Sequence, residues 1–161
     1  MAEDAQAQPP AQPKAHALNQ YIRDLSFENI LAQKQLEGEV KPKTTVKIGM
    51  DVKKRAAEDQ FEVIVKTNIE TSNEADGQTL FMVDLDYGGV FRIENVPQEQ
   101  TLPFLLIECP RLLFPFIRRI VHDVTRDGSF PPVNLESPDF VALYRQQLAN
   151  IQAQREQKPV S

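Results

Sequence analysis

Apolar and polar side chains alternate along four stretches in the first part of the chain. A period of two places apolar side chains on one face of an extended strand and polar ones on the other. Short polar links between consecutive stretches predict an antiparallel meander with one face toward the core. The predicted inward faces are Tyr21, Arg23, Leu25 and Phe27; Val46, Ile48, Met50 and Val52; Phe61, Val63, Val65 and Ile69; and Phe81, Val83, Leu85, Tyr87, Phe91 and Ile93.

The hydrophobic period lengthens after Pro97, which indicates helices. A short helix is predicted from Gln98 to Glu108 and a longer one from Pro110 to about Arg126. The stretch from 129 to 138 is predicted to be extended, because its prolines fix φ and remove backbone donors. Asp139 is expected to cap a last helix. The predicted fold is α+β: a four-stranded antiparallel sheet, a long helix, an extended Pro-rich connection and a C-terminal helix.

The 161 residues suffice for one domain with two tails. Residues 1–17 are rich in Ala, Gln and Pro and are predicted to be a disordered tail, since they bury too little apolar surface to offset ordering entropy. Residues 18–152 are predicted to form the folded domain, and 153–161 a flexible tail. A signal peptide is not expected, and no apolar run approaches the roughly 18 residues of a membrane helix. We therefore expect a soluble, cytoplasmic protein.

Charge and cysteine content limit the kinds of partner and the cellular compartment that the sequence favours. The formal net charge of −5 disfavours nucleic acid as a partner. Four arginines between 111 and 126 are interpreted as the solvated face of the long helix. The single cysteine excludes an intramolecular disulfide and suits a reducing compartment.

Catalytic chemistry has little support in the sequence. The sequence has one cysteine and two histidines that could serve as nucleophile, general base or metal ligand: Cys109, His16 and His122. His16 falls in the predicted tail. Cys109 is better explained as a small buried apolar residue than as a nucleophile. Asp84 and Asp86 are interpreted as a solvated strand face and not as a metal pair, because no further ligands lie nearby in the sequence. The sequence predicts a binding protein without a cofactor, and not an enzyme.

The segment from Pro103 to Tyr144 combines aromatic and proline residues. It holds five of the nine phenylalanines and six of the twelve prolines. Apolar side chains on a chain that cannot pack as a regular element are suited to line a groove for another apolar group. An irregular connection folded over the protein's own core explains the same composition, and this segment taken alone favours that interpretation.

Several motifs resemble the SecB family of bacterial protein-export chaperones. They are IRDLSFEN near the start, the strand FMVDLDYGGVFRI, the segment ECPRLLFPFIRRIV and the run GSFPPVNLESPDFVALY. Together they extend over most of Leu18 to about Gln152, in the order and spacing of that family. The N-terminal tail is longer and richer in Pro and Gln than the family pattern.

The resemblance implies an assembly and partners. Family members are homotetramers built as dimers of dimers, hold unfolded secretory precursors in the cytoplasm, and pass them to the translocation ATPase SecA. A holdase needs apolar contact surface that excludes water without reading a sequence. Two other classes stay open: an adaptor or structural oligomer that binds one folded partner, and a small cysteine-dependent enzyme.

Three sets of site residues follow. The expected client groove is Phe104, Phe114, Phe130, Leu135, Phe140 and Tyr144. The expected oligomer interface is Phe81, Val83, Leu85 and Tyr87, whose apolar surface exceeds what one small subunit readily covers. Asp24, Glu28, Met82 and Asp84 point outward and would form an acidic patch with an apolar centre if their strands come together. The resemblance implies that this patch contacts a basic, zinc-bearing C-terminal segment of SecA, with the zinc held by the partner.

Overall fold

Four long antiparallel strands and two helices make up the fold in a computed structural model, which describes Pro9 and residues 11–157. The strands are β1 (Lys14–Asn29), β2 (Pro42–Lys54), β3 (Gln60–Asn73) and β4 (Thr79–Glu94). A short helix, α1 (Ile30–Lys34), follows β1; a 3-10 turn (Gln98–Gln100) leads into α2 (Thr101–Asp127), and α3 (Phe140–Gln157) comes last. The predicted α+β class, with its long helix and C-terminal helix, is confirmed.

The strand order is β1-β4-β3-β2, so the predicted meander is correct only for β2, β3 and β4. β1 lies beside β4 rather than beside β2, which gives Greek-key connectivity. The segment between β1 and β2 contains α1 and is long enough to cross the end of the sheet. β1 and β2 are therefore the two edge strands.

A bulge in β1 reverses the phase of its side chains. Ile22 pairs with Tyr87 and the next paired residue is Asp24, so one residue, Arg23, is inserted between them. As a result, Ile22 shares the inner face of the sheet with Leu25, although the sequence placed Ile22 on the opposite face. Tyr21, predicted to point inward, instead lies on the outer face.

A single helix, α2, covers the inner face of the sheet. Its residues at every fourth position are buried against the strands: Leu105, Cys109, Leu113, Ile117 and Val121. The prediction of two helices is wrong, because Pro110 and Pro115 both lie inside α2. An internal proline destabilises a helix by about 3 kcal/mol, and the burial of this apolar stripe offsets that loss.

The Pro-rich connection between α2 and α3 contains no helix or strand over residues 131–139. Phe130 packs on Phe81 with ring centroids 4.4 Å apart. Asp139 caps α3 through its Oδ1, which accepts from the Ala142 amide at 3.1 Å. Both tail boundaries shift: residues 14–17 belong to β1, where backbone pairing with β4 needs no bulky side chain, and residues 153–157 belong to α3. The rest of each predicted tail lies mostly outside the described residues.

Candidate functional site

Four cavities lie one after another along the edge strand β2. The first, ≈ 510 Å³, is lined by Pro42 and Thr44, and the next, ≈ 370 Å³, by Ile48 and neighbouring residues. A third of ≈ 210 Å³ and a fourth of ≈ 1080 Å³ share Val52. Thirteen residues of β2 span roughly 40 Å at the rise of an extended chain. We call this series of cavities the β2 groove.

Aromatic and proline side chains form the far wall at the first end of the β2 groove. Phe130, Pro131 and Pro132 of the connection face Val40 and Pro42 across that cavity. Val40 is 42% exposed. The prolines hold the backbone extended and present no amide to a neighbour, so this end offers an apolar wall with fixed shape.

α3 forms the far wall over the middle of the β2 groove. The Gln147 Nε2 donates to the Met50 carbonyl at 3.1 Å, which satisfies an acceptor on the free side of the edge strand. Beyond this contact, Leu148 and Ile151 of α3 are 38% and 40% exposed beside Leu102 of α2. The groove is open to solvent, with apolar walls at its first end and between α3 and α2, and with polar side chains such as Gln146 and Asn150 between these two sections.

The structure divides the six residues predicted for the client groove. Phe130 and Tyr144 line cavities of the β2 groove. Phe104 is half-buried against the core and lines none of the four cavities. The remaining three, Phe114, Leu135 and Phe140, are buried in the core. Phe114 packs edge-to-face on Phe140 with centroids 5.9 Å apart, because the connection folds back onto α2. The core interpretation is correct for these three.

The β2 side of the groove was not expected from the sequence. The alternation of Val46 to Val52 and the helical spacing of Leu148 and Ile151 were each visible. Nothing in either pattern shows that α3 lies along β2, because that adjacency depends on where the connection places α3. No sequence signal marked β2 as an edge, because the predicted meander places it between β1 and β3.

The four residues of the predicted acidic patch do come together on the outer face. β1 pairs directly with β4, which places Glu28 opposite Met82 and Ser26 opposite Asp84. Glu70 of β3 lies on the other side of Met82, so this methionine has a carboxylate on each flank. Asp86, opposite Asp24, adds a further carboxylate. We call these residues, Asp24, Glu28, Glu70, Met82, Asp84 and Asp86, the acidic face.

Hydrogen bonds fix some carboxylates of the acidic face and leave others to solvent. Asp84 accepts from the Asn68 amide at 2.6 Å, and Asp86 pairs with Arg23 at 3.0 Å. Asp24 and Glu28 have no cation within ion-pair distance among the residues that the structure describes. Glu70 and Asp86 were not included in the prediction, although a meander also places β3 beside β4 and Asp86 follows Asp84 on the same face of β4.

The predicted oligomer interface is instead the subunit core. Phe81, Val83, Leu85 and Tyr87 are all less than 8% exposed, because α2 covers β4 and β1 and β3 flank it. Four apolar side chains remain exposed nearby at 38–47%: Ile22, Leu25, Leu112 and Phe116. Ile22 pairs with Tyr87, whose ring stacks on Phe116 at 6.2 Å, so the four form one surface across β1 and α2. We call this surface the apolar flank.

The arrangement of titratable side chains offers no catalytic centre among the described residues. Cys109 is fully buried, and burial raises the pKa of its thiol to about 12, which keeps it protonated at neutral pH. His16 is not in a tail but in β1, 3.4 Å from Glu94, while His122 lies beside Asp123. Within residues 11–157, no three potential ligands converge on a metal site. The open groove and the acidic face define a protein that binds other polypeptides.

Comparisons with known proteins give the family. A family profile described as "Preprotein translocase subunit SecB" matches residues 8–151. A protein-export protein SecB from a Ruegeria species is 55% identical over 96% of this chain and 96% of its own length. The SecB of Paracoccus denitrificans is 57% identical over 90% of this chain and 84% of its own length. The chain belongs to the SecB family and is a chaperone of protein export.

A solved structure supports the fold. A SecB-like chaperone of Mycobacterium tuberculosis, in complex with a ChAD peptide from an antitoxin, superposes with a TM-score of 0.63. It shares 17% identity and covers 77% of this chain and 90% of its own. Neither long helix in the described part of the chain combines the length and hydropathy needed to cross a membrane.

Proposed function

We propose that this chain is an ATP-independent, cytoplasmic holdase that keeps secretory precursors unfolded and delivers them to SecA. The observation that carries this proposal is the β2 groove, an open track with apolar sections that is long enough for about a dozen extended residues. A folded partner buries its own apolar side chains, whereas an unfolded chain offers them along its whole length. The groove therefore favours unfolded clients.

Aggregation of several unrelated denatured proteins, followed by light scattering without ATP, tests the holdase activity. The chaperone is expected to suppress aggregation of each at similar molar ratios, because apolar contacts do not depend on sequence. Suppression of only one client would favour an adaptor, and the absence of suppression would contradict the proposal.

Photocrosslinking locates the client. A photoreactive residue at Val40, at the first end of the β2 groove, or at Leu148, in its third cavity, is expected to label an unfolded client. The matched control is Asn68, exposed on the outer face beside Asp84. Labelling from Asn68 alone would place the client on the wrong side of the sheet.

The acidic face is proposed as the docking surface for a basic segment of SecA. Support comes from its position: it lies on the outer face, so the groove stays accessible while SecA is bound. Met82 supplies an apolar contact between Glu28 and Glu70, and Asp24 and Glu28 are free to pair with incoming cations. Any zinc belongs to the partner in this proposal, since the described residues hold no ligand set.

Charge reversal separates docking from client binding. Asp24→Lys or Asp84→Lys is expected to weaken SecA binding at least tenfold, while aggregation suppression is retained, and added salt should weaken the wild-type complex. Asp127→Lys, at the exposed end of α2, serves as a control of equal charge change. Unchanged SecA affinity in both variants of the acidic face would place docking elsewhere on the protein.

The assembly is proposed to be a homotetramer, a dimer of dimers. The apolar flank exposes four large side chains that a subunit alone leaves in water, which favours burial against another subunit. β1 is also a sheet edge, and pairing with a second β1 would satisfy its free backbone groups.

A further inference from the structure

The acidic face has one apolar side chain, that of Met82. Glu28 of β1 and Glu70 of β3 lie directly opposite it on the two neighbouring strands. Asp84 follows it two residues further along β4, on the same face. Met82 is half-buried among these side chains, whereas the three carboxylate residues are exposed. The apolar contact that this face offers a partner is therefore a thioether.

The other sulfur atoms in the described part of the chain are shielded from solvent. Met50 is 4% exposed and Cys109 is 0% exposed, both in the core beneath α2. The chain has three methionines, and Met1 lies outside the described residues. Peroxides oxidise a thioether that they can reach, and a buried one reacts more slowly. Within residues 11–157, Met82 is therefore the sulfur that an oxidant in solution meets first.

We propose that Met82 is a site of reversible oxidation, and that its sulfoxide form docks the basic segment of SecA more weakly. The inference rests on the proposed docking at the acidic face and adds a regulation to it. Hydrogen peroxide is the oxidant. The sulfur gives an electron pair to one peroxide oxygen and the O–O bond breaks. That oxygen stays on the sulfur, while the other leaves as water with both hydrogen atoms, so the sulfur is oxidised and the peroxide reduced.

The neighbours of Met82 make its sulfoxide unfavourable to cover. A sulfoxide oxygen accepts hydrogen bonds, and the ionised carboxylates of Glu28 and Glu70 only accept them as well. The new oxygen thus finds no donor in these two side chains and is hydrated instead. An apolar group of the partner that packs on Met82 would remove this water without replacing its hydrogen bond. Docking of the oxidised chain is therefore weaker.

Oxidation at this position leaves the client site unchanged. Met82 lies on the outer face of the sheet, whereas α2, α3 and the β2 groove lie on the other side. The oxidised protein is therefore expected to hold unfolded clients as before and to fail only in their delivery. Peroxide would in this way separate the two steps of the proposed function.

Peroxide treatment of the full-length protein, followed by removal of the peroxide, tests the inference. Peptide mapping by mass spectrometry is expected to find the added oxygen on Met82 and not on Met50. Calorimetric titration with untreated SecA is expected to show about tenfold weaker binding. Met82→Leu keeps an apolar side chain of similar volume without sulfur, so its affinity should be the same before and after treatment. The control, Met50→Leu, is expected to retain the wild-type sensitivity to peroxide.

Reversal and client binding give two further readouts. A methionine sulfoxide reductase is expected to restore the affinity for SecA. Suppression of client aggregation should not change on oxidation. An affinity that the reductase does not restore, or an equal loss in Met82→Leu, would show that peroxide acts elsewhere and would overturn the inference.

The outcomes also separate this inference from the proposed docking surface. Unchanged or tighter SecA binding by a chain fully oxidised at Met82 contradicts the inference alone, provided that Asp24→Lys and Asp84→Lys weaken binding. If those two variants bind SecA like the wild type, the docking surface is wrong and the inference fails with it.

Discussion

Gly88 occupies a position on the outer face where three strands leave no room for a side chain. A Cβ placed there would overlap Ile64 Cδ1 and lie 3.2 Å from the ring of Tyr21. The Tyr21 ring is held over this position because its hydroxyl donates to Glu62 across the sheet. Burial, together with this bond, raises the pKa of the Tyr21 phenol to about 12. The bulge in β1 is what places Tyr21 on this face.

Gly88→Ala is expected to destabilise the protein by about 1–3 kcal/mol, because Ile64 and Tyr21 must both move to admit one methyl group. Urea unfolding at a fixed protein concentration measures the change. Gly49→Ala is the matched control: this glycine is also in a strand, but no atom lies within 4 Å of its added Cβ. Equal unfolding midpoints for the two variants would show that the outer face has room at Gly88.

At the scale of elements, Arg118 of α2 holds the Pro-rich connection in place. Its Nε donates to the Leu135 carbonyl at 2.8 Å and its NH2 group to the Ser137 hydroxyl at 2.6 Å. The guanidinium also lies 5.2 Å from the centre of the Phe114 ring. The interpretation of this arginine as part of a solvated face is wrong, because the connection folds back over α2.

Arg118→Lys is expected to loosen residues 129–139, since an ammonium group cannot reproduce two donors in a fixed plane. The expected result is amide exchange in this segment at least tenfold faster, with exchange in β3 and β4 unchanged. Arg119→Lys provides the control, because Arg119 is exposed and only 4.0 Å from Asp123. Slow exchange in the connection of both variants would show that the prolines alone hold it.

Local periodicity identified the elements, while their adjacency needed the structure. The strands from Val46 to Ile93 alternate as predicted, since their two faces meet core and solvent. The position of β1 beside β4 could not be predicted, because a period of two carries no information about pairing partners. The two prolines suggested a helix break, but the burial of the α2 stripe outweighs that local preference. For the acidic face, the sequence predicted only that its side chains point outward. The strand order shows that they lie side by side.

At the scale of the whole molecule, the apolar flank makes the assembly testable. Light scattering at micromolar concentration is expected to report four times the 18.3 kDa subunit mass. Phe116→Glu or Ile22→Glu should reduce this mass, because each buries a charge if the subunits associate through the flank.

Ile151→Glu is the control for assembly, since Ile151 is 40% exposed on α3 and outside the flank. Its mass is expected to match the wild type. A native monomer would contradict the proposed assembly, and tetrameric Phe116→Glu and Ile22→Glu variants would show that the subunits meet through another surface.

Cys109, the only cysteine, is buried between α2 and the sheet. Its reactivity therefore reports whether α2 has separated from the sheet. Thiol reagents attack the thiolate, and a fully buried thiol with a pKa of about 12 presents none at neutral pH. Cys109 therefore reacts only when α2 leaves the sheet. A client that enters the β2 groove leaves this reporter silent, whereas a client that displaces α2 makes it react, so one label distinguishes occupancy of the surface from rearrangement of the core.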